Sequence, residues 1–426
     1  MARPSISGLN TALRHVYVPE RGFTDIDKEV WLTLQASADF RRLHAGGIVE
    51  VAYRPLDKIR LKGTCYVGHA ICGDVLLIFC EKVDGALSAL LAFASHNAFK
   101  VKKAQSASSE LSELIVLLVE QFLEAVTTYA SLGRKFQYTK IKSSGSLAGG
   151  KLDITKTIQL RSRGLGHLLA FEKNVVDYKT QINRVLLAAL LEVENIASLL
   201  QLPESLVATS RSLSMLFSDC HDHEILYRER SYFADEALYL AESQSDELIM
   251  DIMSLASVML AHESFDSSSG QPAGLPRTWF LNLENMFETA VRNLLIKICT
   301  DASIFRGETA PKPIFDEQQR QYRANPDIVV LTSSGDAAIG DVKYKIFDGS
   351  ASATDVYQLL VHAEAFEAKK SFLIFPGDSY FARNLGRTRG EIQTVFFSVR
   401  LPQLESDLKN VAKYLGFIQD NPDSLY

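Results

Sequence analysis

The sequence is short of the features that mark most specialised chains. Its five cysteines (Cys65, Cys72, Cys80, Cys220, Cys299) are odd in number, scattered and without a C-x-x-C pair. Neither a disulfide framework nor a zinc knuckle is implied, and buried free thiols are expected. With 24 glycines and 12 prolines in 426 residues, collagen-like and low-complexity classes are excluded. The longest apolar run, around Ala86 to Ala94, falls far below a membrane span, and Met1 to Ser5 lacks the apolar stretch of a signal peptide. A cytoplasmic protein with no membrane partner is expected. A phosphate-binding loop is missing as well. Gly145 to Lys151 fits G-x-x-x-x-G-K, but Leu152 follows where Ser or Thr would hold Mg²⁺, and Leu152-Asp153-Ile154 reads as a strand rather than a helix start. Any work driven by nucleotide hydrolysis must therefore come from another chain.

What is present is an ordinary globular composition, 47% hydrophobic and 23% charged, on a chain long enough for two or three domains. The net charge of −6 argues against a surface that is basic throughout, yet one basic track stands out. Arg134, Lys135, Lys140, Lys142, Lys151, Lys156, Arg161 and Arg163 face only Asp153 in the same stretch. It reads as a β-hairpin face, solvated or turned to phosphate or to a protein partner.

The periodicities predict a multidomain α+β chain. Residues 1–105 hold an N-terminal extension, weakly patterned to about 45, and a small β module with strands at 49–53, 60–67 and 75–81. Residues 106–263 are mostly helical. Leu111, Ile115, Leu118, Phe122, Val126 and Tyr129 recur at helical spacing up to Gly133, and further helical patterns cover 185–193, 206–216, 234–240 and 249–260. Residues 264–276, crowded with Ser, Gly and Pro, read as a linker. Residues 277–426 read as an α/β domain around a mixed sheet, in the order helix, strand, strand, helix, strand, strand, helix.

The chemistry concentrates there. Pro326-Asp327 and Asp341-Val342-Lys343 have the form PD…DxK, on two β-rich runs flanking Thr332 to Asp336. A hairpin symmetric about Ser334 pairs position 327 with 341, and opposed residues project to one face, so the two carboxylates sit side by side. Lys343, two residues on, shares that face. Adjacent carboxylates repel, and a hard divalent cation is the usual reason to keep them together; Mg²⁺ fits, with Mn²⁺ as a substitute. In the preceding helix Leu283, Phe287, Ala290, Val291 and Leu294 form an apolar stripe, with Glu284 and Glu288 on its flank. Downstream, Ser352, Thr354 and Asp355 start a helix whose Gln358 either reaches a phosphate or water or stays on the surface. Ser371 to Phe375 follows as a buried strand. Cys220-His221-Asp222-His223 reads as a surface turn, because neighbouring residues do not face one ion, and Cys299 and His362 as a packed thiol and a helix-face imidazole.

Helix with Glu288, strand with Asp327, strand with Asp341 and Lys343, helix with Gln358, then a strand resembles the PD-(D/E)xK restriction-endonuclease-like core. The likeness extends to Leu61-Lys62-Gly63 through Phe93, Asn183-Arg184, Met286-Phe287-Glu288 and Tyr357-Gln358, which together resemble the McrC family, the nuclease subunits of McrBC-type modification-dependent restriction systems that act at 5-methylcytosine. That resemblance implies an Mg²⁺-dependent endonuclease. Its metal ligands would be Asp327, Asp341, the Val342 carbonyl and Glu288, with Lys343 and Gln358 as further catalytic residues. It also implies double-stranded, modified DNA as substrate and a McrB-like AAA+ GTPase docked on the amino-terminal half. A stand-alone nuclease of this superfamily and a non-enzymatic activator of an AAA+ motor are the alternatives.

Overall fold

A computed structural model of the chain describes residues 13–54, 58–82, 85–95, 111–200, 202–220, 230–261, 278–315, 322–333, 335–345 and 351–418. Two compact units result, one from the described residues of Met1–Leu117 with His262–Tyr426, the other from those of Leu118–Ala261.

The weakly patterned start is structured from residue 13. β1 (Arg14–Pro19), β2 (Phe23–Ile26), α1 (Lys28–Ala36) and α2 (Ala38–Ala45) precede β3 (Val49–Arg54), β4 (Lys58–Gly63), β5 (Tyr66–Cys72) and β6 (Val75–Cys80). The strand expected over 60–67 is two strands, parted at Thr64-Cys65. β2, β4 and β3 form one sheet, and β1, β6 and β5 belong to another. Alternation explains β6: Val75, Leu77 and Phe79 are buried and meet Val16, Val18 and Leu34 in one apolar cluster.

The second unit holds most of α4 (Leu111–Leu132), then β7 (Gln137–Gly145), β8 (Lys151–Leu152), α5 (Ile154–Ser162), β9 (Leu169–Asp177), α6 (Gln181–Leu200), α7 (Glu204–Leu216), α8 (Arg230–Ser243) and α9 (Glu247–Leu260). By length and composition α4 is apolar enough to cross a membrane. Its Leu118, Val119, Phe122, Leu123 and Val126 are nonetheless buried, as in the core helix of a globular unit.

The basic track departs from expectation twice. The strand through Leu152 stops there, because the Asp153 carboxylate accepts from Lys156 N at 2.9 Å and caps α5. A helix does follow the G-x-x-x-x-G-K stretch, so only the missing hydroxyl residue, with an acid already seated at the helix start, speaks against a nucleotide site. Arg134 also leaves the track: it forms a two-pronged pair with Asp219, at 2.7 and 2.9 Å, and lies 4.3 Å from the Tyr178 ring centre. Lys135, Lys140, Lys142, Lys151, Lys156, Arg161 and Arg163 remain exposed. Cys220 is buried, its thiol 3.2 Å from the Tyr178 carbonyl, while His221, Asp222 and His223 lie outside the described residues.

The 264–276 stretch also lies outside them. Beyond it come β10 (Thr278–Asn282), α10 (Leu283–Ile298), β11 (Ala302–Phe305), β12 (Lys312–Pro313), β13 (Arg323–Ala324), β14 (Ile328–Thr332), β15 (Ala337–Val342), α11 (Ala353–Ala365), β16 (Lys370–Pro376), β17 (Phe381–Arg387), β18 (Gln393–Val399) and α12 (Leu404–Leu415). β10, absent from the expected order, pairs antiparallel with β5, Leu281 opposite Val67. The chain thus returns to its amino-terminal sheet before α10, whose start Asn282 caps by accepting from Glu284 N and Asn285 N. Asn293 of α10 donates to the Phe93 and Ala94 carbonyls at the end of α3 (Ala86–Ala94), satisfying groups a helix terminus leaves open.

The mixed sheet runs β11-β14-β15-β16-β18-β17. β15, β16 and β18 are parallel neighbours, and the near-continuous burial of β16 and β18 is what a strand covered on both faces requires. α11 lies on β15 and β16, its Leu359 and Ala363 packed with Val329, Ile339 and Leu373.

Candidate active site

β14 and β15 pair with Ile328 opposite Gly340, Val329 opposite Ile339 and Val330 opposite Ala338, the register symmetric about Ser334 that the sequence predicts. The turn closes through Gly335 N to Thr332 O at 2.9 Å, and Gly335 takes φ +82°, a left-handed conformation that favours glycine. One step past the ladder, Asp327 and Asp341 interlock. Val342 N donates to Asp327 Oδ2 at 2.8 Å, and Asp327 N stands 3.4 Å from Asp341 Oδ1. Lys343 Nζ lies 3.1 Å from Asp341 Oδ2.

These charges are held out of water. Asp341 is fully buried, and Lys343 is part-buried. Burial raises the Asp327 carboxyl, to about 7, and the neighbouring charges of Asp341 and Glu288 push the same way. Burial works against the Lys343 ammonium, but Asp341 and Asp327 outweigh it and raise its pKa. One buried and one half-buried carboxylate against a single cation favour the arrival of a further positive charge.

Glu288 borders this group, and its carboxylate takes Arg292 at 3.1 Å and Arg306 at 3.8 Å. Glu284 and Gln358 are exposed. Val342 donates its N–H to Asp327, a bond that leaves open the part expected of its carbonyl. Among the described residues no three His, Cys, Asp or Glu side chains gather around one point at metal-ligand spacing, and Asp327 and Asp341 are the two carboxylates that stand against each other.

Two residues beside the site were given no part in it by the sequence, which marks His362 as a helix-face imidazole and Asp355 as part of a helix start. His362 Nδ1 lies 3.8 Å from Asp341 Oδ1, and Asp355 pairs with Lys345 just past the DxK segment. Their separation of seven, two helical turns, puts both on one face of α11, a signal available in the sequence once that face is known to meet β15.

Pro326 has its own support. Gly307 N donates to Pro326 O at 2.9 Å, and a Cβ on Gly307 would stand 2.3 Å from Pro326 Cδ and 2.6 Å from Pro326 N. Backbone atoms there have nowhere to go, so Gly307→Ala should displace Pro326-Asp327 and cost about 1–3 kcal/mol, a scale typical of overpacking. A thermal midpoint equal to wild type would show that the contact is not maintained.

The family model for "McrBC 5-methylcytosine restriction system component" matches residues 78–376. Among solved structures, the chain is similar to a refined half-complex from a tetradecameric assembly of Thermococcus gammatolerans McrB AAA+ hexamers with bound McrC. The two are 14% identical, over 94% of this chain and 100% of that one, with a TM-score of 0.48. A cryo-EM structure of the Thermococcus gammatolerans McrBC complex is matched at 16% identity over 67% of this chain and 88% of that one, with a TM-score of 0.39. No curated protein matches. With the family model spanning well over half of its residues, the chain belongs to the family of McrBC 5-methylcytosine restriction system components.

Proposed function

We propose that this chain is the nuclease subunit of its system, an Mg²⁺-dependent endonuclease that hydrolyses phosphodiester bonds in modified double-stranded DNA together with a McrB-like AAA+ GTPase. One observation carries the reading: a hairpin register that places the buried Asp341 carboxylate against the half-buried Asp327 carboxylate, with Lys343 at 3.1 Å from Asp341. Membership in a restriction-system family supports DNA as substrate. The missing hydroxyl after Gly145 to Lys151 favours the nuclease rather than the motor role, and a separate nucleotide-driven partner with it.

The donor set fits Mg²⁺, which is commonly held by one or two carboxylates and keeps several waters. Bound there, the ion supplies Lewis acidity toward phosphate and lowers the pKa of a water. The chain's own groups do the rest. Asp327 and Asp341 offer hard oxygen donors, locked by the Val342 and Asp327 N–H groups. Lys343 offers an ammonium to the oxygen charge that grows as phosphorus is attacked. Gln358, one turn before His362, is exposed on α11, and its amide is proposed to contact a phosphate or water.

The seven exposed cations of the former track are interleaved with exposed Tyr138, Ile141, Leu152, Ile154 and Ile158. Apolar and basic groups mixed in this way suit a protein surface better than a phosphate backbone, so this face is assigned to the AAA+ partner.

Metal removal tests the reading directly. Cleavage of 5-methylcytosine-containing duplex by the chain with its AAA+ partner and nucleotide should stop in EDTA and return with added Mg²⁺ or Mn²⁺. Cleavage that persists in EDTA would refute the metal-dependent mechanism.

A further inference from the structure

We infer that His362 is a positioning residue for Asp341, fixing the rotation of that carboxylate so that it presents its oxygens to a divalent cation; the inference rests on the metal-dependent reading above. The ring is about nine-tenths buried, its Nδ1 makes no hydrogen bond among the described residues, and that atom faces Asp341 Oδ1 at 3.8 Å. A buried polar atom without a partner is costly, and here it points at a buried carboxylate that is itself short of donors. The gap exceeds an ordinary hydrogen bond by about 1 Å, which a small rotation of the carboxylate or the ring would close.

The helix is built to hold that ring in place. Leu359 and Ala363 on either side of His362 are packed into the core with Ile339 of β15, and Asp355 pairs with Lys345. α11 is thereby tied to both ends of segment 341–345, so the imidazole cannot drift from Asp341 without unpacking the helix. With a proton on Nδ1 the ring would donate to Oδ1, while Oδ2 stays beside Lys343. Neighbours of this kind, which orient a metal-binding carboxylate without touching the metal, typically change affinity by about 10–100-fold.

The test uses the full-length chain and Mn²⁺ alone, with affinity read by calorimetry at fixed pH and cleavage measured with the partner across metal concentrations. His362→Ala should weaken Mn²⁺ binding by about 10-fold or more, with cleavage recovering as metal is raised. His362→Asn, whose amide reaches the place of Nδ1, should restore most of that affinity, whereas His362→Gln, which reaches the place of Nε2, should not. Wild-type Mn²⁺ affinity in a folded His362→Ala protein would overturn the inference. If that variant does not fold, the Asn and Gln proteins decide: equal affinities overturn it, and a clear advantage for Asn upholds it. Asp341→Ala is the control. Mn²⁺ binding indifferent to Asp341 would defeat the metal reading itself, while binding that needs Asp341 and ignores His362 would defeat this inference alone.

Discussion

Asp341→Ala is expected to lower cleavage by on the order of 10³-fold or more, equivalent to about 4 kcal/mol of lost transition-state stabilisation, while the protein stays folded. The two halves of that expectation come from one feature. Asp341 is fully buried beside Asp327, whose carboxyl is raised first by burial and then by the Asp341 charge, so the fold holds these groups together against their own repulsion. Removing one of them relieves the other. What is lost is the Lys343 partner at 3.1 Å and a long contact from Asp327 N at 3.4 Å, and Lys343 is partly exposed and can turn to water. Stability should accordingly move by no more than about 1–2 kcal/mol in either direction, small beside the effect on activity. Asp341→Asn separates charge from size: it keeps the volume and the contact with Asp327 N, and should still lose cleavage and Mn²⁺ binding. A folded Asp341→Ala protein that cuts at the wild-type rate would remove Asp341 from the chemistry.

The register of that hairpin was legible in the sequence because its determinants are local. Two β-rich runs flank a short polar turn containing Gly335, and symmetry about residue 334 then fixes which residues oppose each other, as the pairing of Ile328 with Gly340 shows. Helices were legible for a related reason: the apolar stripe of α10 and the Ser352 cap of α11 are written within one or two turns of chain. What escaped was non-local. β10 is five residues whose pairing partner, β5, lies some 200 positions earlier, and nothing in Thr278–Asn282 names that partner. The approach of His362 to Asp341 depends on how α11 is rotated over β15 and β16, which Leu359 and Ala363 set through contacts with three different strands. At Leu152-Asp153 a local competition was misjudged, since a capping aspartate started a helix where the apolar residues alone suggested more strand.

Lys343→Ala should reduce cleavage by about 10²-fold or more, the usual scale for losing a group that stabilises charge in the transition state. Its metal behaviour should differ in sign from that of the aspartate variants. The ammonium repels an incoming cation, so its removal leaves Asp327 and Asp341 more negative and Mn²⁺ binding unchanged or tighter, whereas Asp341→Ala loses it. That divergence separates a catalytic lysine from a structural one. If Lys343 served only to neutralise Asp341, its loss would be made good by bound metal, and cleavage at saturating Mn²⁺ would stay within a few-fold of wild type. Lys343→Arg adds a geometric check, because it keeps the charge but spreads it over a planar fork that does not place a point charge in the same spot. An intermediate rate is expected for it. Cleavage by Lys343→Ala at saturating metal that matches wild type would leave the two carboxylates as the only protein groups in the reaction, and Lys343 as their counter-ion.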